Sequence, residues 1–173
     1  MYKGACGVDA LNTLLRDKFN PLIGQKTIMC GIRTFRVGDR VMQTKNDYDL
    51  KVFNGDTGYI VDIADPDSIS LEFEKNRVVK YNSDQIANVV LAYAMTIHKS
   101  QGCEYPGVII ALLPEHYIML QRNLFYTAVT RAKTACCIVG DEKSMQIAIT
   151  NNQIAKRYTA LNWFLCHPQL VVE

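Results

Sequence analysis

Two short apolar runs on either side of one amphipathic segment constrain this chain more than any other feature. Residues 107–113 and 134–139 are nearly unbroken apolar stretches, and residues 120–132 between them carry helical periodicity. A strand that reads as a continuous hydrophobic run is one covered on both faces, and strand–helix–strand order calls for a parallel crossover. Val89, Val90, Leu91, Ala92, Tyr93 and Ala94 read as a further buried strand leading into Thr96, and helical patterns follow at 142–149 and 154–165. The expected fold class is therefore α/β with a mostly parallel sheet.

A second texture interrupts the first. From Thr34 onward the segments are short and β-like, with alternation at Val37–Thr44, Tyr59–Ile63, Ile69–Phe73 and Val79–Tyr81. Asn54-Gly55-Asp56 and Lys75-Asn76 supply turns, and several strands with a turn every ~8–12 residues suggest a small barrel, here an SH3-like one. Before it, Val8, Leu11, Leu14, Leu15 and Phe19 fall at helical spacing, with Asn20-Pro21 as the stop; a core-packing helix is expected. Residues 1–33 and 89–173 are assigned to the α/β unit and 34–88 to a barrel inserted into it. Because an α/β unit rarely opens on a loop and helix without the strand that orders them, the chain is expected to be cut from a larger protein.

Composition adds limits. The chain has 173 residues, enough for one domain with a small insert; 49% hydrophobic and 21% charged content describes a globular chain. A net charge of +2 means that any nucleic-acid surface must be local. The six cysteines, at 6, 30, 103, 136, 137 and 166, show neither zinc-ligand nor secreted-disulfide spacing. Cys136 and Cys137 sit within an apolar run and are expected as buried free thiols. His98, His116 and His167 lack metal-ligand spacing, so no metal site is assigned. A reducing cytoplasm fits, and no apolar run approaches the length of a membrane span.

Two polar clusters lie beside the apolar runs. In Thr130-Arg131-Ala132-Lys133 an arginine ends a helix and precedes a strand. Its planar, permanently charged fork suits phosphate oxygens, although a cation at a helix C-terminus also simply complements the dipole. In Thr96-Ile97-His98-Lys99-Ser100-Gln101-Gly102-Cys103-Glu104 a hydroxyl, an imidazole and an amide arrive together before a glycine. That set suits the phosphate and sugar oxygens of a single strand, with an ordinary satisfied histidine as the bland alternative.

Thr96-Ile97-His98-Lys99-Ser100-Gln101-Gly102-x-Glu104 and Tyr126-Thr127-Ala128-Val129-Thr130-Arg131-Ala132 resemble motifs V and VI of superfamily 1 helicases, in the form seen in the RecD-type group that includes the exonuclease V alpha subunit and its stand-alone relatives. Tyr2-Lys3-Gly4-x-x-Gly7 with Leu11-Asn12, and Val37-Gly38-Asp39-Arg40-Val41-Met42-Gln43 with Phe53-Asn54-Gly55-Asp56-x-Gly58, are similar to the start of that group's second motor domain and to its SH3-like insert. Cys103 stands where a serine is common and Arg16 where a glutamine is common.

The resemblance implies a RecA-like second motor domain of a 5′–3′ DNA helicase working in recombination and repair. It gives Arg131 the arginine-finger role on ATP, and places Glu104, Gln101 and Gly102 on the nucleotide side. Thr96, His98 and Lys99 would meet single-stranded DNA, joined by Lys45, Lys51 and Asn54 of the insert. ATP with Mg²⁺ would be held jointly with an N-terminal RecA-like domain of the same full-length chain, and other exonuclease V subunits are possible partners. Within enzymes, a conjugative relaxase helicase or a Pif1-like helicase shares these motifs. Outside them stand a free-standing single-strand-binding module and a partner-docking remnant. The sequence contains no G-x-x-x-x-G-K-[ST] loop, so nothing in it cradles a triphosphate. The purified chain is expected to show no DNA-stimulated ATP hydrolysis; measurable turnover in a phosphate-release assay would contradict this.

Overall fold

The computed structural model describes residues 4, 6–65, 68–152, 163 and 166. Helix α1 (Val8–Phe19) is followed by the strands β1 (Thr27–Cys30), β2 (Arg33–Arg36), β3 (Arg40–Gln43), β4 (Thr57–Asp65), β5 (Ser68–Phe73) and β6 (Arg77–Asn82). A one-turn helix α2 (Ser83–Ile86) leads to β7 (Val89–Leu91), and a 3-10 turn at Ile97–Ser100 leads to β8 (Tyr105–Leu112). Helix α3 (Arg122–Val129), strand β9 (Ala132–Gly140) and helix α4 (Glu142–Thr150) complete the described elements. The helix expected at 154–165 lies outside the described residues but for one position.

The strands make two kinds of sheet. β6-β5-β4-β3-β7 form one antiparallel five-stranded sheet, β1 and β2 a hairpin, and β8 and β9 a parallel pair. In β5 the alternation is clean: Ile69, Leu71 and Phe73 point inward and pack with Phe35, Val41, Ile60, Tyr81 and Val89 in one apolar cluster. The SH3-like meander is present, but its hydrogen bonding closes no barrel among the described residues, since β6 and β7 remain edges. Nor is the described sheet structure mostly parallel, as the sequence suggested; β8–β9 carries the parallel pairing.

Two segments read as part of the α/β unit join the antiparallel side instead. β7 pairs antiparallel with β3, Val41 opposite Leu91 and Gln43 opposite Val89. Ile28 of β1 is buried in the same apolar cluster as β3–β6. A second cluster, Ile110, Leu112, Leu120, Ala128 and Ala148, lies between β8, α3 and α4. At Gly140 β9 lies hard against β8: a Cβ there would run into the carbonyl oxygen of Leu112.

Helix α1 corrects the apolar-face expectation. Leu14 is 64% and Phe19 72% exposed, whereas Asn12 is the buried residue of the helix, 5% exposed. Polar contacts dock it. The Asn12 amide donates from Nδ2 to the Ala94 carbonyl at 2.9 Å and accepts at Oδ1 from the Ala94 N–H at 3.0 Å. Arg16 Nη1 donates to Thr34 O at 2.9 Å, and Arg36 pairs with Asp17 at 3.1 Å. At the end of the helix, the buried Asp39 carboxylate accepts from Asn20 Nδ2 (2.9 Å), Arg36 N (2.8 Å) and the Tyr93 hydroxyl (3.1 Å). Helix and strand β7 are thus tied at both ends of the segment that leads to Thr96.

Cys136 and Cys137 are exposed rather than buried. From Lys133 onward every residue of β9 is exposed, because no described element covers either face of that strand. Removing the Asn12 side chain leaves the part-buried N–H and C=O of Ala94 without their partners, so Asn12→Ala is expected to lower stability by roughly 1–3 kcal/mol in urea denaturation. Leu14→Ala, on the exposed face, is expected to change it by less than ~0.5 kcal/mol.

Candidate nucleotide and nucleic-acid interface

The Ala94 clamp fixes where Thr96 begins the 3-10 turn. Thr96 caps it, its Oγ1 accepting from Lys99 N at 3.4 Å and its carbonyl from Lys99 N at 3.0 Å. Buried Ser100 locks the turn with a 2.8 Å bond to Ile97 O, and Ile97 packs on the second apolar cluster. His98 is left exposed. Thr96 and Lys99 line a groove of about 810 Å³ that runs between α1, β2 and β7, with Asn12, Arg16 and Arg33 on its walls.

Gly102 then reverses the chain with φ +83, and no atom lies within 4 Å of a Cβ built there. Its conformation therefore demands glycine, and crowding does not. Beyond it the turn meets the end of α3. Arg131 folds back onto the protein: Nε donates to Thr127 O at 3.1 Å, Nη1 to Cys103 O at 3.0 Å and Nη2 to Thr130 Oγ1 at 3.1 Å. Each terminal nitrogen keeps a second N–H in these bonds, because a guanidinium carries five donors. The carbonyl of Arg131 accepts from Tyr105 N at 2.8 Å.

The parallel register sets Tyr105 opposite Ala132, which brings Glu104 and Lys133 into a 3.1 Å ion pair. Both side chains are 59% exposed, so the pair contributes little to stability. Gln101 and Gly102 are exposed beside it. Glu104, Gly102 and Arg131 thus sit together around Cys103. Lys45, Lys51 and Asn54 do not line the Thr96 groove; they lie exposed on the loop between β3 and β4. That loop nonetheless passes near the same turn, since a Cβ built at Gly55 would stand 3.9 Å from Cys103 Sγ.

Residues 11–80 match the family described as the ATP-dependent RecD-like DNA helicase SH3 domain, and residues 91–139 the UvrD-like helicase C-terminal domain. The ATP-dependent RecD2 DNA helicase of Deinococcus radiodurans is 36% identical over 167 residues, 96% of this chain and 23% of that protein. The RecBCD enzyme subunit RecD of Mycolicibacterium smegmatis is 36% identical over 152 residues, 88% of this chain and 26% of that one. The chain belongs to the RecD-type helicases of superfamily 1. It spans about a quarter of the length of these relatives. In fold it is similar to the Pif1 helicase from Bacteroides solved in complex with ADP-AlF3 and ssDNA, with a TM-score of 0.60 at 19% identity over 93% of this chain and 43% of that one. The Pif1 helicase from Candida albicans gives 0.56 at 17%, over 94% and 47%.

Asp141 caps α4, accepting from Ser144 Oγ at 2.6 Å and Ser144 N at 2.8 Å, and these bonds hold its carboxyl below the usual range. Among the described residues no group of three His, Cys, Asp or Glu is disposed to hold a metal. Arg131 fits a phosphate, with donors still available on the side chain. Sequence reasoning missed Asn12 as the clamp, although a polar residue in the middle of an apolar helical period was its signal. It also missed Lys133, which alternation along β9 places two residues beyond Arg131.

Tyr105 spans the two halves of the site, its hydroxyl 3.5 Å from Met95 Sδ. Burial first, then the neighbouring Cys103, pushes its phenol up to about 12. A raised pKa favours the neutral form in the fold, so its contribution is complete below pH ~10 and is lost as pH rises toward ~12. Urea midpoints are expected to hold steady up to pH ~9.5 and then decline. Tyr105→Phe should make that decline shallower, with the rest due to Tyr81 and Tyr93, which burial also raises.

Proposed function

We propose that this chain is the second motor domain of an ATP-dependent 5′–3′ DNA helicase, joined to its SH3-like insert. In this reading Arg131 supplies positive charge to the γ-phosphate of ATP held by a preceding RecA-like domain of the same protein. ATP and the Mg²⁺ that accompanies it supply the phosphoryl-transfer chemistry; Arg131 neutralises charge building on the transferred group. Glu104, Gln101 and Gly102 form the nucleotide side of the turn, and Thr96, His98 and Lys99 the side that meets single-stranded DNA, with Lys45, Lys51 and Asn54 reaching the strand from the insert. A cytoplasmic setting and association with other subunits of a RecBCD-like enzyme fit the same reading. The unit boundaries that packing favours place the hairpin β1–β2 and strand β7 with the insert.

One observation carries this reading above the others. Arg131 Nη1 is bonded to the carbonyl of Cys103, and the same turn begins at Thr96 on the groove. A phosphate that engages the remaining N–H of Nη1 pulls on the same nitrogen that holds that carbonyl, so nucleotide state and groove geometry are linked through seven residues of backbone (97–103). A free-standing strand-binding module has no use for such a link.

In the full-length protein, Arg131→Ala is expected to lower DNA-stimulated kcat by about a thousandfold and to leave nucleotide-free affinity for single strands within a factor of about two. Steady-state ATPase assays and fluorescence anisotropy measure the two quantities. An unchanged kcat would remove Arg131 from the phosphate and the motor reading with it.

A further inference from the structure

The loop between β3 and β4 is held more tightly than its position requires. Asp47 and Val52 exchange both backbone bonds, at 2.8 and 3.0 Å, and Val52 is fully buried. Asp47 Oδ1 accepts from Leu50 N at 3.0 Å, Asp56 Oδ2 from Phe53 N at 2.9 Å and Asn46 Oδ1 from Asn54 N at 2.9 Å. Arg77 Nη1 donates to Lys51 O at 2.8 Å. On this rigid frame two aromatic rings face solvent. Tyr48 is 74% and Phe53 46% exposed, and they meet edge to face with centroids 6.1 Å apart and planes at 78°.

We propose that Tyr48 and Phe53 form a stacking platform for the unpaired bases of the strand, a role that rests on the DNA reading above. In an edge-to-face pair only one ring face is met by the other ring's edge, so the remaining faces stay open to a base, and every base offers a flat π-face regardless of sequence. The frame holds the rings out before any ligand arrives, so little entropy is lost on binding. Lys45 and Lys51 are exposed around the rings. Two of the loop's three carboxylates are turned to its own N–H groups, and Asp49 is the one that faces solvent without such a bond among those described. At Gly55 the same loop passes near Cys103, whose carbonyl receives Arg131, so the platform lies on the side of the turn that carries the proposed strand contacts. A protein partner would call for a wider apolar patch than two rings set among Lys45, Asn46, Lys51 and Asn54.

The test is fluorescence anisotropy with the whole chain, using a labelled oligo-dT and an equally long abasic sugar-phosphate strand at two salt concentrations. The wild type should bind the abasic strand about tenfold more weakly. The double variant Tyr48→Ala/Phe53→Ala should lose about tenfold or more toward oligo-dT and no longer distinguish the two strands. Its salt dependence should persist, because that reports phosphate contacts. Phe53→Trp, which keeps an aromatic face, should bind like wild type, and circular dichroism confirms that each variant is folded. A wild type that binds both strands equally, or a double variant with undiminished oligo-dT affinity, overturns the platform and leaves the DNA reading standing. A wild type that binds no strand overturns both. Loss of self-association in the double variant, with DNA affinity unchanged, would assign the rings to a protein contact instead.

Discussion

A side-chain amide paired with a peptide group holds this structure in working order. Asn12 satisfies both the N–H and the C=O of Ala94 at a point where β7 has ended and the 3-10 turn has not begun. Backbone there has no sheet partner, and a buried peptide without one is expensive. A primary amide carries its donor and its acceptor on separate atoms of one plane, so it can reach an N–H and a C=O of the same residue together, whereas a carboxylate only accepts. The Asp39 cluster repeats the logic one helix-length away, gathering Asn20, Arg36 and Tyr93 on one carboxylate. Apolar clusters stabilise each half, but polar ties set how α1 and the Thr96 segment sit together.

From that fixed point the chain runs as a single mechanical line. Thr96 caps the turn, Ser100 locks it, Gly102 reverses it, and Cys103 hands its carbonyl to Arg131. The register of β8 on β9 then delivers Arg131, Ala132 and Lys133 opposite the same turn. Hydrogen bonds between backbone and charged side chains shift in discrete steps, which suits the proposed link between nucleotide and groove.

What the sequence made legible follows from local physics. The apolar runs became β8 and β9, the amphipathic stretch between them α3, and Asn54-Gly55 a turn with positive φ at the glycine. The polar clusters at 96–104 and 130–133 came together as a site because they are anchored to neighbouring strands. What failed depended on partners distant in sequence. Leu14 and Phe19 have the period of a core face, yet α1 docks by Asn12 and Arg16, and no periodicity reports a bond to a residue 82 positions away. Val89–Leu91 is apolar enough for a parallel strand, but it lies opposite Val41–Gln43, a pairing that its own residues do not encode. Lys45, Lys51 and Asn54, expected as strand contacts of the insert, lie exposed on the same loop as Tyr48 and Phe53.

Cys136 and Cys137 give β9 an unusual handle. Successive residues of a strand point to opposite faces, and both thiols are exposed. The strand therefore carries one reactive sulfur on each side of the same two-stranded sheet. In any longer protein that contains this chain, alkylation of one position reports what lies against one face and alkylation of its neighbour reports the other. The two faces of the sheet can be footprinted independently, with no engineered label.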